Sequence, residues 1–148
     1  MPEIFQGRAV IPGEVSGAAI VTRQGFNTLA SYQMSIILHS KVATCGDQNN
    51  PDLYKKVITG KILCLPQTIG STTGGLVIQT IASLGIGPIA MLFSEQVDSL
   101  AAGGAILADV WVGQRMIVVD RLGSSFLGRV KDGEPIHIHA DGRVEVGV

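Results

Sequence analysis

Residues 62–94 contain no Asp, Glu, Lys, Arg or His, a run of 33 uncharged positions. A solvated surface is not built this way, so most of the segment belongs to a core or to a covered face. It is not a membrane span. A span needs about 20 predominantly apolar residues, and this run is interrupted by Pro66, by Gly70-Ser71-Thr72-Thr73-Gly74-Gly75 and by Gly85-Ile86-Gly87-Pro88. It reads instead as buried strand, polar loop, buried helix and buried strand. Residues 61–65 form the first strand, ended by Pro66. Val77, Ile81 and Leu84 recur at helical spacing and predict a helix over 76–84, with Gly85 as its stop. Residues 89–93 form the next strand, and this succession implies a right-handed parallel unit. A polar loop without charge inside such a run also suggests that part of it faces a partner.

The flanks are β-rich. Residues 5–11 and 18–22 are short apolar runs, and the turn-forming 12–17 separates them. Residues 24–40 are ambiguous, with a strand possible at 34–38. Residues 45–52 have loop composition. A small-residue helix is expected over 99–108 and a strand over 116–119. At the C-terminal end residues 134–139 alternate, and Asp141-Gly142 is a hairpin-turn dipeptide before 144–146. The expected fold class is therefore α/β: barrel-like β ends around a central parallel β-α-β unit, in one domain over residues 1–148.

Charge excludes several classes of function. Lys and Arg total 11 against 12 Asp and Glu, a net charge of −1 that offers no electrostatic footprint for nucleic acid or an anionic membrane. Two cysteines cannot make a disulfide framework, and the start Met1-Pro2-Glu3 does not resemble a signal peptide, so the cytoplasm is the expected location.

The chemistry-bearing segment is Gly70 to Gly75. A buried strand runs into a glycine-flanked hydroxyl cluster that opens a helix, leaving backbone N–H groups unpaired where the helix dipole is positive. Such a place binds carboxylate or phosphate, or stabilises an oxyanion. Ser71 or Thr72 acting only as a helix cap is the competing reading. A P-loop is excluded because no Lys occurs between Lys61 and Lys131. Gly70-Ser71-Thr72-Thr73-Gly74 imitates a nucleophile elbow, but Asp120 and His137 do not complete that enzyme class. His137 and His139 share one strand face and would need a third ligand to hold a metal. Cys64, between two leucines, reads as a buried hydrophobe; Cys45, in a polar loop, is expected to be more accessible. Arg115 stands near a strand end, within possible reach of a substrate carboxylate, although a plain surface role fits it as well. Asp47 and Asn49 read as turn residues with a possible place along a cleft.

With these residues in view, the chain resembles the swivelling domain of the aconitase X family. The resemblance is carried by Gly70-Ser71-Thr72-Thr73-Gly74-Gly75 and continues through Pro88-Ile89-Ala90-Met91, residues 103–108 and residues 116–120. It implies a swivelling β/β/α domain that is either fused to a large catalytic domain or made as a separate small subunit. It further implies that the large subunit supplies an iron or iron–sulfur centre, that this chain binds no cofactor alone, and that it is inactive without its partner. The implied reaction is dehydration of a small hydroxy acid, of the cis-3-hydroxy-L-proline type in preference to mevalonate 5-phosphate. By the same resemblance Ser71 is the proton-abstracting residue, with Gly70, Thr72, Thr73 and Gly74 at the substrate. One position departs from the pattern: where family members often carry a basic residue before the first glycine, this chain has Ile69. The alternative from another class is a non-catalytic anion-binding or protein-interaction module with the glycine-rich loop as its docking site.

Overall fold

A computed structural model describes residues 2–70 and 74–147. Strands β1 (Glu3–Gln6), β2 (Arg8–Ile11), β3 (Val15–Val21), β5 (Ile62–Leu65), β7 (Ala90–Phe93), β8 (Ile117–Asp120), β9 (Pro135–Ile138) and β10 (Arg143–Val146) form one sheet in the order β1-β10-β9-β3-β5-β7-β8-β2. The β3-β5-β7-β8 centre is parallel, and the remaining pairs are antiparallel.

The two edge strands are neighbours in the chain, separated only by Gly7, so the sheet curls into a nearly closed barrel. Gly7 donates its N–H to Gly142 O at 2.9 Å. A Cβ at Gly7 would lie 2.6 Å from Val119 Cγ1 and 2.8 Å from Asp120 O, so the bend admits no side chain. The barrel-like expectation holds. The continuous strand over 5–11 does not, because Gly7 divides it.

Alternation along the central strands separates two cores. Ile62, Cys64, Ala90, Leu92, Ile117 and Val119 point into the barrel, where Phe126, Ile136 and Val144 meet them. Leu63, Leu65, Met91, Phe93 and Val118 point outward, beneath helices α1 (Thr28–Ile37), α2 (Gly74–Leu84) and α3 (Ser99–Leu107). These strands are buried on both faces, which is why they read as continuous apolar runs. Each of the three helices is the crossover between two parallel strands, so all three begin at the carboxyl edge of the sheet. A short helix α4 (Ser124–Arg129), absent from the sequence reading, contributes Phe126 and Leu127 to the barrel interior.

Two other expectations are corrected and a third, the helix over 99–108, holds and is extended. The strand suggested at 34–38 is the end of α1, which Asn27 starts by accepting the Ala30 N–H at 3.0 Å. Val15, Ser16 and Gly17 are strand rather than turn, held by β9 through the pairs Val15↔Ile138, Ser16↔His137 and Gly17↔Ile136. Finally, α3 runs on into a π-helical turn, Ala108–Val112, closed by Gly113 at φ +76°. No helix among the described residues is long and apolar enough to cross a membrane.

Candidate functional site

Four residues beyond β3 and two beyond β5, the chain makes a second, minimal ladder. Strands β4 (Phe26–Asn27) and β6 (Thr68–Ile69) pair in parallel, Phe26 with Thr68 and Asn27 with Ile69. Asn27 is the N-cap of α1, and β6 leads through Gly70 towards α2. This ladder therefore sets the starts of α1 and α2 side by side. The start of α3 is tied to the same point by Asp98. Its Oδ1 accepts the Thr68 hydroxyl at 2.6 Å and the Thr68 N–H at 3.1 Å, while Oδ2 caps α3 through the Ala101 N–H at 3.0 Å. Three helix N-termini thus meet at the carboxyl edge of a parallel sheet, where α/β folds bind ligands.

Gly70 lies at this junction, exposed, with φ +110°. An L side chain is strained at that angle, and a Cβ would sit 3.1 Å from the Asn27 amide. Ser71, Thr72 and Thr73 lie outside the described residues, and Gly74 is the first residue of α2. Ile69 is half exposed beside Gly70, an apolar group at the mouth of the junction. Within their first turns, α2 and α3 touch through glycine. A Cβ on Gly75 would lie 2.9 Å from Leu100 O.

Charge at this edge is sparse and mostly engaged. Asp120 is fully buried at the end of β8, where Arg8 grips it at 2.9 and 2.7 Å and the Val97 N–H donates to it at 2.8 Å. Burial alone would raise its pKa; the Arg8 and Val97 hydrogen bonds outweigh that and hold the carboxyl below its usual range. Arg121, the next residue, has φ +58° and donates to Gln96 Oε1 at 3.3 Å.

The remaining candidates fall elsewhere. Arg115 precedes β8 and so stands at the opposite edge of the sheet, donating to Pro12 O at 2.9 Å and to Asp109 at 3.2 Å; it is not part of this junction. The His137 and His139 rings pack at 4.4 Å on the barrel's outer side, with Ser16 on the first and Glu145 on the second. Among the described residues no group of three or more His, Cys, Asp or Glu side chains could hold a metal. Cys64 is buried inside the barrel, and burial pushes its thiol pKa up. Cys45 is also buried, against the expectation of an accessible thiol, because its loop is drawn onto α1 by the Gly46 N–H to Ser31 O bond at 3.0 Å. The same loop buries Asp47 and Asn50 and leaves Asn49 exposed.

Asn27 and Asp98 organise the junction, yet the sequence reading did not single them out. Each is an Asx residue directly before a helix-forming stretch, which is the ordinary N-cap signal.

Comparison with known proteins gives a consistent picture. The aconitase X swivel domain family matches residues 4–146. The phosphomevalonate dehydratase small subunit of Aeropyrum pernix is 28% identical over 142 residues, covering 96% of this chain and 92% of that one. The Thermococcus gammatolerans protein of the same name is 30% identical over 143 residues, covering 96% of each chain. The crystal structure of Thermococcus kodakaraensis aconitase X in its holo-form superposes with a TM-score of 0.80 at 26% identity, covering 97% of this chain and 98% of that chain.

Proposed function

The chain belongs to the aconitase X swivel domain family, and on that premise we propose that it is the small subunit of a two-subunit hydro-lyase, active only with its large subunit. Relatives that match over nearly their whole length bear the name of a dehydratase small subunit. The observation that carries the reading is the β4·β6 junction, which brings three helix starts together at Gly70, the residue that precedes the hydroxyl cluster in the sequence.

In this reading Ser71 is the general base. Dehydration removes a weakly acidic C–H proton, forms the C=C bond and expels hydroxide. Ser71 as alkoxide accepts that proton and becomes the neutral hydroxyl. An alkoxide is accessible only where positive potential lowers its pKa, and the starts of α1, α2 and α3 supply part of that potential. Gly70, Thr72, Thr73 and Gly74 are the substrate-binding residues in this reading. The iron or iron–sulfur centre expected in the large subunit contributes Lewis acidity at the leaving hydroxyl. The residues of this chain do not assemble a metal site of their own among those described.

The substrate is a small hydroxy acid. Ile69, half exposed at the junction where a cation would greet a phosphate, favours the cis-3-hydroxy-L-proline type. The names of the relatives favour mevalonate 5-phosphate. Direct assay of both compounds with the assembled complex separates them.

Ser71→Ala tests the base. Turnover of the assembled complex should fall by about 10²–10⁴-fold, as for loss of a positioned acid–base group, with subunit association unchanged. Near-normal turnover would sink the assignment. If it came with a stability loss of about 0.5–2 kcal/mol, Ser71 would be a helix cap in a non-catalytic binding module.

A further inference from the structure

The outer surface of the helical layer has a composition that solvent does not favour. None of the residues of α1, α2 or α3 is Asp, Glu, Lys, Arg or His. A helix on a free surface turns a charged face to water, whereas one apolar on both faces is covered. Here the inner faces fill the core beneath the helices, and the outer faces still expose Met34 and Ile37 on α1, Leu76 and Leu84 on α2, and Leu100 and Ile106 on α3. The patch ends at Trp111 in the π-helical turn, which is 77% exposed and is the chain's single tryptophan. Strands β9 and β10 and their hairpin carry the contrasting surface, with Glu134, Asp141, Arg143 and Glu145 in charged pairs.

We propose that this flank, uncharged apart from Asp109, which pairs with Arg115, is the docking face for the large subunit, so that the partner's footprint runs from the Gly70 junction down the helices to Trp111. The proposal rests on the functional reading above, which already requires the large subunit at the junction. Leu76 and Leu100 stand in the first turns of α2 and α3, next to that junction, so the patch is continuous with it. The stretch from Ser99 to Val112 is about 20 Å long at 1.5 Å per residue. Three helices at 8–10 Å spacing then give a flank on the order of 500 Å² in projection. A stable interface takes about 800 Å² from each partner. The flank alone falls short of that for two copies of this chain, whereas flank and junction together suit one larger partner with an apolar, uncharged surface.

The test uses this chain with Trp111 replaced by 5-fluorotryptophan, mixed with the large subunit from the same source and followed by ¹⁹F NMR. The single resonance should shift in the complex and lose its H₂O/D₂O solvent isotope shift. Trp111→Asp and Thr80→Lys, both at exposed positions, should keep the circular dichroism of the parent and weaken association by about tenfold or more, as for a buried anchor. An unmoved resonance in a complex that forms, or unchanged affinity of both variants, would overturn the docking face. If that complex still dehydrated substrate and lost activity with Ser71→Ala, the proposed function would stand without it. A resonance buried in this chain alone by self-association would assign the flank to a second copy, and absence of any complex would remove both readings.

Discussion

Gly104 of α3 sits directly on Gly75 of α2. A methyl group on Gly104 would collide with the Gly75 carbonyl oxygen and lie 2.9 Å from Ile78 Cβ and 3.0 Å from Gly75 Cα. Two helices cross here backbone to backbone, one turn below the junction of the helix starts, so the separation of these glycines fixes where α2 begins.

Gly104→Ala should therefore lower stability by about 1–3 kcal/mol, the range for overpacking a tight contact. It should also reduce turnover of the assembled complex by moving the first turn of α2. Gly103→Ala is the matched control: a Cβ there meets nothing within 4 Å, and Ala is the better helix former by roughly 0.8–1 kcal/mol. Urea denaturation of the two variants should move in opposite directions. Equal shifts would remove the claim that contact, not composition, makes Gly104 glycine.

Asp98 predicts a second asymmetry. It caps α3 and holds both donors of Thr68. Asn caps as well as Asp and retains an acceptor for Thr68, so Asp98→Asn should stay within about 0.5 kcal/mol of the parent, the margin of a substitution that keeps its contacts. Asp98→Ala loses the cap and leaves Thr68 without its partner, and should cost about 1–2 kcal/mol. If both variants unfolded at the same urea concentration, the α3–β6 tie would not be a stabilising contact.

What the sequence made legible follows burial. The strands β5, β7 and β8 stood out because both their faces are covered, which leaves an uninterrupted apolar run. The Asp141-Gly142 turn announced the β9–β10 hairpin by its backbone chemistry, with Gly142 at φ +90°. Helix α1 was hidden for a related reason. Met34, Ile37 and Leu38 are apolar yet exposed, while the buried positions are Thr28, Ser31, Tyr32 and Ser35, so apolar residues do not mark the inner face and the helical period is lost. At the candidate site, Gly70 and the hydroxyl cluster were legible as a helix opening. The convergence was not, because Asn27, Thr68 and Asp98 are brought together only by tertiary pairing. Cys45 looked accessible because loop composition says nothing about which helix a loop folds against.

Thiol chemistry checks that last point. Both cysteines are buried, which restricts access to a reagent, and burial raises the pKa of Cys64, so that residue presents little thiolate at neutral pH. The native chain should react slowly with a disulfide reagent at both positions, and two equivalents should appear only on denaturation. A fast first equivalent traced to Cys45 would mean that its loop leaves α1 in solution.

The Arg8–Asp120 pair closes the barrel where β2 meets β8, and it makes stability depend on acid. Asp120 is buried and Arg8 is half exposed, so the contribution is smaller than that of a fully buried pair. Asp120→Asn keeps an acceptor for the Val97 N–H but loses the charge facing Arg8, and should cost about 1.5–3 kcal/mol at neutral pH, the range for a hydrogen bond to a charged group. The carboxyl's pKa is lower in the folded state than in the unfolded chain. Its stabilisation is therefore complete above the unfolded value of about 4 and disappears as pH falls through the folded value. Parent and variant should differ by a constant urea midpoint from neutrality down to about pH 5, still above that unfolded pKa. They should then converge in more acid solution, as the parent's Asp120 takes up a proton and comes to resemble the amide. A gap that stayed open in acid, with the parent still folded, would show that the variant's defect is one of packing rather than of charge at the barrel seam.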